Sequence, residues 1–510
     1  MNRWRRMATS VAGGLVAASA MACSGGPGVP YVPPPPLQMP SSAPEPGLPP
    51  VDRSQLPRPA EATDWSLPSV AEWTMPNGMR VWHLEQRSAP LVSVRMVFPQ
   101  GAATDPLGKE GLTSLTGDML DEGAGTLNAL EIGDAFQRLA TSYGTSAGVD
   151  AVTFRLDMLA DELKPSLALA ATLLRQPTFP PAEFARRKDL YVAGALSRES
   201  EPNAAVGLAL RRVLFGKGYL GARPGGTKTS LKRITLADVK AHYSRIFRPE
   251  GATVVVVGAV AAPALKTALR EVFGDWKGAA AAAVPADVKP APLPAKAIYL
   301  VDFPGASQST VVAARRTPGV GEADYFDGLV FNRALGGAFS SRLNLNLRED
   351  KGYTYGANSY FARYLRVGYH GLSARVKRET TRASVDEMLR EIRDVSGARP
   401  VTEQEHREAI EGLVKGFPGR FERLSSTAGQ IAAEAEEGRD VGWLGAWPSH
   451  VQKVTLEGAR GAAQKYAETD AYALVIAGDT ATFVDAMAEL GRPLYTCDRE
   501  GACAPRKAPR

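Results

Sequence analysis

The sequence predicts an α+β protein made of two similar halves joined by a linker. Strand-like and helix-like segments occur in runs rather than in strict alternation, which favours the α+β class. One run is also repeated: Thr235 opens a helix that leads to the strand Thr253–Gly258, and Thr455 opens a helix that leads to the strand Leu474–Gly478. Both threonines are suited to cap a helix. Between the two runs, residues 278–296 are rich in alanine and proline, as is typical of a linker.

Composition fits an ordinary globular chain. The 510 residues are 44% apolar, enough for each half to bury its own core. The net charge of +6 is small for this length, and the basic residues form no stripe interleaved with aromatic side chains. We therefore expect no nucleic-acid partner.

The N-terminal segment reads as a bacterial secretion signal followed by a lipid-attachment site. Arginines precede a short apolar stretch that ends at Ala20-Met21-Ala22-Cys23, which is similar to a lipobox with Ala20 in place of the usual leucine. We expect a lipid on Cys23, with simple cleavage after Ala22 as the alternative. The Pro-rich residues that follow predict an extended tether. The protein is then anchored in the bacterial cell envelope, facing the periplasm or the exterior.

Two further cysteines, Cys497 and Cys503, lie near the C-terminus with five residues between them. Outside the cytoplasm such a pair favours a small disulfide loop, and two cysteines alone make a weak metal site. The predicted organisation is a signal peptide (1–22), a lipidated tether (23–66), an N-terminal domain (67–277), a linker (278–296), a C-terminal domain (297–495) and a basic tail (496–510).

The N-terminal domain begins with a predicted hairpin, Trp73–His83, whose turn is Asn77-Gly78. The elements expected after it are a strand (Leu91–Phe98), a helix from Leu112 closed by Gly123 and Gly125, a helix capped by Asn128 and Glu131 and ended by Gly144, a strand (145–159), a helix (160–175) and a long helical stretch (181–215).

The stretch Gly111–Thr126 carries the most information about function. Leu112, Leu115, Met119 and Leu120 have the spacing of one buried helical face. Asp118, Asp121 and Glu122 form a carboxylate cluster at the end of that helix. Such a cluster suits a hard cation such as calcium or magnesium, or is simply a solvated acidic helix end.

This stretch resembles the active-site helix of the M16 peptidases, the family of insulinase, pitrilysin and mitochondrial processing peptidase. The resemblance implies two homologous domains, each an antiparallel sheet backed by helices, in the M16/LuxS-like metallohydrolase fold, closing as a clam shell. The family's helix carries His-x-x-Glu-His, whereas the same register here holds Ser114, Gly117 and Asp118. At the register of the third zinc ligand stand Ala193 and Gly194.

The chemistry of these replacements argues against a zinc site. Catalytic zinc needs about three protein donors and a carboxylate base near its water. Ser114 is a poor donor, and Gly117 cannot act as a base. The histidines do not form an i, i+4 pair: His83, His242, His370, His406 and His450. We expect no metal cofactor in this chain, and zinc only in a partner subunit.

The segment Leu335–Ser359 is similar to the M16 segment in which an arginine and a tyrosine contact the substrate backbone near zinc. The resemblance places these roles at Arg348 and Tyr355. A guanidinium and a phenol can both donate hydrogen bonds to a peptide carbonyl. The alternative is an arginine paired with Glu349 or Asp350 at the surface and a tyrosine packed in the sheet.

The function implied is that of a non-catalytic M16 subunit, which supplies Arg348 and Tyr355 to a zinc-bearing M16 partner that degrades or processes peptides outside the cytoplasm. The sequence leaves two alternatives open: a stand-alone peptide-binding or structural assembly protein without proteolytic role, and a peptidase with an unrecognised metal site.

Overall fold

The computed structural model describes residues 65–216, 220–221, 223–278, 294 and 296–506. The predicted signal peptide, Cys23, nearly all of the tether and most of the linker lie outside these residues. Both predicted domains belong to one compact unit, Ala62–Arg510. Within the described residues, no helix has the length and apolar character needed to cross a membrane.

The N-terminal half contains these strands: β1 (Ala71–Thr74), β2 (Arg80–Glu85), β3 (Leu91–Phe98), β4 (Gly123–Ala124), β5 (Leu127–Asn128), β6 (Ser142–Ala147), β7 (Val152–Leu159) and β8 (Thr253–Gly258). Its helices are α1 (Leu112–Asp118), α2 (Ala129–Arg138), α3 (Leu163–Arg175), α4 (Pro181–Glu199), α5 (Pro202–Phe215), α6 (Lys228–Arg233), α7 (Leu236–Ile246) and α8 (Ala262–Phe273).

The C-terminal half contains strands β9 (Ile298–Asp302), β10 (Gln308–Pro318), β11 (Thr354–Arg363), β12 (Val367–Lys377), β13 (Ala473–Gly478), β14 (Leu494–Cys497) and β15 (Cys503–Pro505). Its helices are α9 (Tyr325–Leu335), α10 (Arg342–Asn344), α11 (Thr381–Ser396), α12 (Glu403–Gly416), α13 (Leu424–Glu436), α14 (Trp443–Gln452), α15 (Leu456–Tyr466) and α16 (Val484–Ala488).

Five neighbouring strands of one sheet correspond in order and direction to five strands of the other, which confirms the predicted α+β fold with two similar halves. The N-terminal sheet runs β6-β7-β3-β8-β2-β1, and the C-terminal sheet runs β11-β12-β10-β13-β9-β14-β15. Neighbours are antiparallel except for β2 with β8, the equivalent β9 with β13, and β9 with β14. Thr235 and Thr455 cap the equivalent helices α7 and α15, as predicted.

Each sheet is backed on one face by helices of its own half. In the N-terminal half this core includes Leu167 of α3 and Leu265 of α8, both packed against the apolar side chains of β3 and β8. In the C-terminal half it includes Met388 of α11 and Ala463 of α15. Burial of these apolar faces supplies most of the driving force for folding each half.

The opposite face of each sheet is covered by a helix from the other half. Helix α13 of the C-terminal half packs on β3 and β8, with Ala428 and Ile431 against Val255 and Val257. Helix α5 of the N-terminal half packs in the same way on β9, β10 and β13. The halves therefore close on each other through two exchanged helices, and these inner faces are filled with side chains rather than open to a peptide.

Several element boundaries differ from the predictions. Helix α1 ends at Asp118, and Gly123 lies in the two-residue strand β4 instead of closing the helix. Gly144 lies inside β6, and residues 145–159 form parts of two strands, because the chain turns between Ala147 and Val152. The helical stretch 181–215 breaks before Pro202, which starts α5 and has no N–H to continue α4.

The segment predicted as a basic tail is part of the C-terminal sheet. Strands β14 and β15 pair antiparallel, with Cys497 opposite Cys503, and β14 continues the sheet beside β9. The two sulfur atoms form a disulfide bond with a Cα–Cα distance of 4.0 Å. Residues 507–510 lie outside the described part.

Candidate functional site

Helix α1 is held at both its apolar face and its N-terminus. Leu112 and Leu115 are buried, as the sequence predicted. The Asp105 carboxylate accepts hydrogen bonds from the backbone N–H groups of Gly111 at 2.7 Å and Thr113 at 2.8 Å. These groups would otherwise lack partners at the start of a helix. The position of α1 is therefore fixed independently of any metal.

The register positions of the first zinc ligand and the base have structural roles here. The Ser114 hydroxyl donates to the carbonyl oxygen of Pro224 at 2.8 Å. Gly117 faces β6 so closely that a Cβ placed on it would lie 2.7 Å from Cγ2 of Thr145. A side chain at position 117 thus requires the Thr145 side chain to shift.

Asp118, at the second histidine's register, is used in packing α1 against α4. Its Oδ2 accepts a hydrogen bond from the Tyr191 hydroxyl at 2.7 Å. Two residues further along α4, Ala193 is exposed and offers no donor. The two helices that would share a zinc ion in the family do meet, but a tyrosine–aspartate pair joins them.

The remaining carboxylates of the cluster are paired with arginines. Glu122 is almost fully buried and forms ion pairs with Arg186 at 2.5 Å and with Arg187. Asp121 accepts from the Tyr143 hydroxyl at 3.2 Å and lies 3.8 Å from Arg187. The alternative of a solvated acidic helix end is therefore wrong for Glu122, whose charge is compensated in the protein interior.

A cavity of about 390 Å³ opens beside this cluster, and it is lined by Gly117, Asp118, Leu120, Asp121, Tyr143, Gly144, Thr145, Phe154, Leu173 and Arg187. Burial raises the pKa of Asp118 and of Asp121 above the ordinary value. Burial, reinforced by the nearby Asp121 carboxylate, also raises the pKa of Tyr143 to about 12. The tyrosines therefore stay protonated and donate to the aspartates.

The residues around this cavity do not fit a zinc ion. In the described part of the chain, no group of three histidine, cysteine, aspartate or glutamate side chains is placed to hold a metal. The carboxylates near the cavity already accept hydrogen bonds or face arginines, which oppose a bound cation. The two helices retain their relative placement without the donor set that zinc chemistry needs.

The second candidate position, Arg348, lies on an irregular turn of the C-terminal half. Helix α10 continues as a π-helical stretch, Leu345–Asp350, a rare geometry that is frequent at functional sites. The stretch is anchored from below by Asn346, whose amide donates to Glu387 and Glu391, both at 2.8 Å. The Arg348 side chain remains 37% exposed, with Nε 3.3 Å from Oε1 of Glu349.

Tyr355 lies on a second irregularity, at the start of the edge strand β11. The pairing of β11 with β12 shifts register between Thr354 and Ala357, so Tyr355 and Gly356 form a bulge. A bulge re-aims a side chain that regular pairing would direct elsewhere. Tyr355 is 89% exposed, and its hydroxyl has no hydrogen-bond partner among the described residues. The alternative of a tyrosine packed in the sheet is wrong.

The structure also shows a site residue that the sequence did not single out. The ring of Phe339 is 65% exposed, and the guanidinium carbon of Arg348 lies 4.5 Å from its centroid. One feature of the sequence could have indicated its exposure: Phe339 directly follows Gly336-Gly337-Ala338, so it lies in a loop and not on the apolar face of a helix or strand. By contrast, Arg342 is structural, because it pairs with Glu405 at 2.5 Å.

Similarity to known proteins agrees with this description of the fold. The family model described as the peptidase M16 inactive domain matches residues 233–413. The uncharacterized zinc protease YmxG of Bacillus subtilis is 22% identical over 297 residues, which cover 58% of this chain and 71% of that protein. The non-peptidase homolog YmxG of Helicobacter pylori is 24% identical over 174 residues, covering 34% of this chain and 40% of that protein.

The crystal structure of a peptidase M16 inactive domain from Pseudomonas fluorescens superimposes with a TM-score of 0.75 at 25% sequence identity, covering 80% of this chain and 98% of that one. Its coverage includes both halves of the fold described above. Together with the corresponding strands of the two sheets, these matches show that the chain is similar over both halves to proteins of the M16 peptidase family, among them one described as an inactive domain and one named a non-peptidase homolog.

Proposed function

We propose that this chain is the zinc-free subunit of a two-subunit M16 peptidase in the bacterial cell envelope, and that it supplies Arg348 and Tyr355 to the active site of a zinc-bearing M16 partner. The observation that carries the proposal is the exposure of Tyr355 on a bulge of β11, together with the exposed Arg348 side chain on the π-helical turn that packs against this strand. Exposed aromatic and arginine side chains on irregular backbone are typical of binding sites.

The residues at the register of the zinc ligands are used in packing, which supports a peptidase in which a second chain holds the zinc ion. Gly117 packs against Thr145, and Asp118 accepts from Tyr191, so this chain lacks the base and the donors that cleavage needs. Arg348 and Tyr355 can still donate to a peptide carbonyl and to the oxyanion that develops on it. These two residues would contribute to cleavage when a second chain holds a zinc ion beside the same peptide bond.

The proposal is tested by reconstitution. We would purify the protein with its bound partner from the native membrane, express both chains, and follow cleavage of fluorescently labelled casein. The mixture should cleave while each chain alone is weak. Arg348→Ala and Tyr355→Phe should each lower kcat/KM of the mixture about 100-fold, because each removes a contact made to the transition state.

Matched controls lie on the same sheet. Arg375→Ala removes an exposed arginine of β12, and Tyr495→Phe removes a hydroxyl on β14. Both should leave turnover and subunit association unchanged. A reconstituted complex that is indifferent to Arg348→Ala and Tyr355→Phe would reject the proposed role of this pair.

A stand-alone peptide-binding or assembly role is the second candidate, because the exposed Tyr355 and Phe339 would serve peptide binding without cleavage equally well. It is favoured if no M16 chain with His-x-x-Glu-His purifies with the protein and labelled casein binds the isolated chain without being cut. The relative from Helicobacter pylori that is named a non-peptidase homolog is compatible with either candidate.

The envelope location rests on the lipobox-like sequence at Cys23 and on the Cys497–Cys503 disulfide, a bond typical of oxidising compartments. Two or more acyl chains are needed for stable anchoring. The wild-type protein should therefore partition into the detergent phase of extracted membranes, and Cys23→Ala should release it. Wild-type protein recovered in the soluble fraction would reject the anchor.

A further inference from the structure

The loop that carries Phe339 is fixed tightly against strand β11. Gly336 lies so close to the strand that a Cβ on it would be 2.4 Å from the backbone nitrogen of Ser359. That nitrogen donates to the Gly336 carbonyl at 3.0 Å. Only glycine permits this approach, so the loop leaves the strand at a defined point and Phe339 projects from a fixed base.

A buried asparagine then connects this loop to the strand that carries Tyr355. The Asn344 amide donates to the carbonyl oxygen of Phe339 at 2.7 Å, and its Oδ1 accepts from the backbone N–H of Ala357 at 3.2 Å. Asn344 is 4% exposed and stands directly before the π-helical stretch. One side chain thus links the phenylalanine loop, the turn with Arg348 and the bulge with Tyr355.

Arg348 has two neighbours, and its guanidinium contacts both of them in the structure. Glu349 can hold it through an ion pair at the surface, with Nε 3.3 Å from Oε1. Phe339 offers its ring face at 4.5 Å. Exposed ion pairs and exposed cation–π contacts have similar strengths, about 0.5 to 1 kcal/mol each, so neither neighbour dominates by strength alone.

The two neighbours differ in what they leave free. A carboxylate occupies guanidinium N–H groups, all of which lie in the guanidinium plane. A ring stacked on the guanidinium contacts only its face and leaves these in-plane donors available. Arg348 can therefore donate to a peptide carbonyl while it rests on Phe339, whereas a closer ion pair with Glu349 would consume the same donors.

We infer that Phe339 is the positioning residue for Arg348: its exposed ring supports the guanidinium beside Glu349 and keeps N–H groups that the ion pair does not use available to the bound peptide. This inference deepens the proposed function and rests on it, because it assumes that Arg348 contacts substrate. Phe339 itself forms no bond to the reacting atoms.

The first arm of the test uses the isolated chain and does not depend on a partner. Arginine-labelled protein is examined by NMR, with the Arg348 side-chain signals assigned by comparison with Arg348→Lys. Ring stacking shifts the Arg348 Cδ protons upfield. The shift should be lost in Phe339→Leu, which keeps an apolar side chain, and retained in Phe339→Tyr, which keeps the ring. An Arg348 signal that is unchanged in Phe339→Leu would overturn the inference.

The second arm uses the reconstituted complex and labelled casein. Phe339→Leu should lower kcat/KM about two- to fivefold, the range expected for one exposed cation–π contact, and Phe339→Tyr should restore it. In an Arg348→Ala background, Phe339→Leu should have no further effect, because its target is gone. The control Leu130→Ala removes a side chain that is 82% exposed on the other half, and it should change nothing.

The outcomes separate this inference from the proposed function. If Arg348→Ala lowers turnover but Phe339→Leu costs as much in that background as alone, Phe339 acts on its own and the positioning role is rejected. If Arg348→Ala itself has no effect, the proposed function falls, whereas the NMR arm still decides whether the ring holds the guanidinium.

Discussion

One absent methyl group decides how closely α1 approaches β6. At Gly117 an added Cβ would lie 2.7 Å from the Thr145 methyl group, whereas nothing lies within 4 Å of a Cβ added at Gly133 in α2. Both glycines lie in helices, so replacing either one by alanine gains the same helix propensity. The difference between the two substitutions therefore measures the cost of the close contact at position 117.

We predict opposite effects of alanine at these two positions. Gly117→Ala should lower the free energy of unfolding by about 1 to 3 kcal/mol, because a well-packed contact must open. Gly133→Ala should raise it by about 0.5 to 1 kcal/mol. Urea unfolding followed by circular dichroism measures both. Thr145→Ser, which removes the methyl group in contact, should recover most of the loss in Gly117→Ala; equal stability of the two alanine variants would contradict the packing described here.

The same residues give a prediction about metal. Because Ser114, Gly117, Asp118 and Ala193 cannot replace the family's donors, the isolated chain should contain substoichiometric zinc after dialysis and should cleave no peptide. Elemental analysis by mass spectrometry tests this, with the zinc-bearing partner prepared in parallel as the positive control. One zinc ion per chain would show that the donor set has been misjudged.

At the scale of single elements, the last turn of α13 carries a carboxylate that is buried on folding, Glu434. Glu434 is 5% exposed, and Nη1 of Arg439 lies 3.3 Å from its Oε2. Burial raises the pKa of Glu434 from 4.5 to about 7, and Arg439 opposes this only partly. The native state therefore binds a proton there that the unfolded chain has released at neutral pH.

This gives a stability change with a defined sign. Glu434 contributes stability that is complete below pH 4.5 and lost as pH rises toward 7, because the folded state must then ionise a buried carboxyl. Glu434→Gln should therefore gain stability relative to the wild type between pH 5 and pH 8, by up to about 3 kcal/mol. Urea unfolding at both pH values measures the gain. The substitution Glu422→Gln, at an exposed position, should give no such gain. If the free energy of unfolding of Glu434→Gln differs from that of the wild type by the same amount at pH 5 and at pH 8, the effect is disproved.

The sequence predicts an element well when the contacts that determine it are close together in the chain, and poorly when they come from distant residues. The start of helix α2 was predicted correctly because its capping box is local: Asn128 Oδ1 accepts from the Glu131 N–H at 3.1 Å. Its end was predicted at Gly144, whereas the helix ends at Arg138. The turn between β6 and β7 was missed because Val149 and Ala151 continue the apolar alternation of the strands. The π-helical turn at Arg348 was not predicted, since it depends on anchors as distant as Glu391.

Phe339 was missed for a similar reason. The sequence identified Arg348 and Tyr355 through their spacing, but the stacking partner of Arg348 comes from a loop whose course is set by Gly336 against β11. The exchange of α5 and α13 was also unpredicted, because an apolar helix face does not specify which sheet it will cover.

At the scale of the whole molecule, the disulfide hairpin at the C-terminus ties the two halves together. Glu500, between the two cysteines, accepts a hydrogen bond from the Thr229 N–H of the N-terminal half at 3.1 Å. Arg499 lies over the ring of Phe303 at 4.3 Å. The Cys497–Cys503 bond keeps both contacts on one short loop.

We predict that reducing this bond lowers the free energy of unfolding by about 2 kcal/mol, the value expected for a loop closed by cysteines six positions apart. Thermal unfolding with and without reductant measures the effect. The double variant Cys497→Ser/Cys503→Ser should melt at the temperature of the reduced wild type and should not respond to reductant. A wild-type melting temperature that is insensitive to reductant would show that the hairpin holds without its disulfide.

The exchange of helices between the halves also has a consequence for how the chain is made. The last strand of the N-terminal sheet ends at Gly258, but the helix that covers the inner face of this sheet begins only at Leu424. Until then a sheet surface that includes Val255 and Val257 has no native cover. Exposed apolar surface of this kind attracts chaperones and promotes aggregation. In an exported chain that emerges N-terminus first, the first half therefore stays without its cover until the second half has crossed the membrane, and a chain truncated between these two points cannot finish folding.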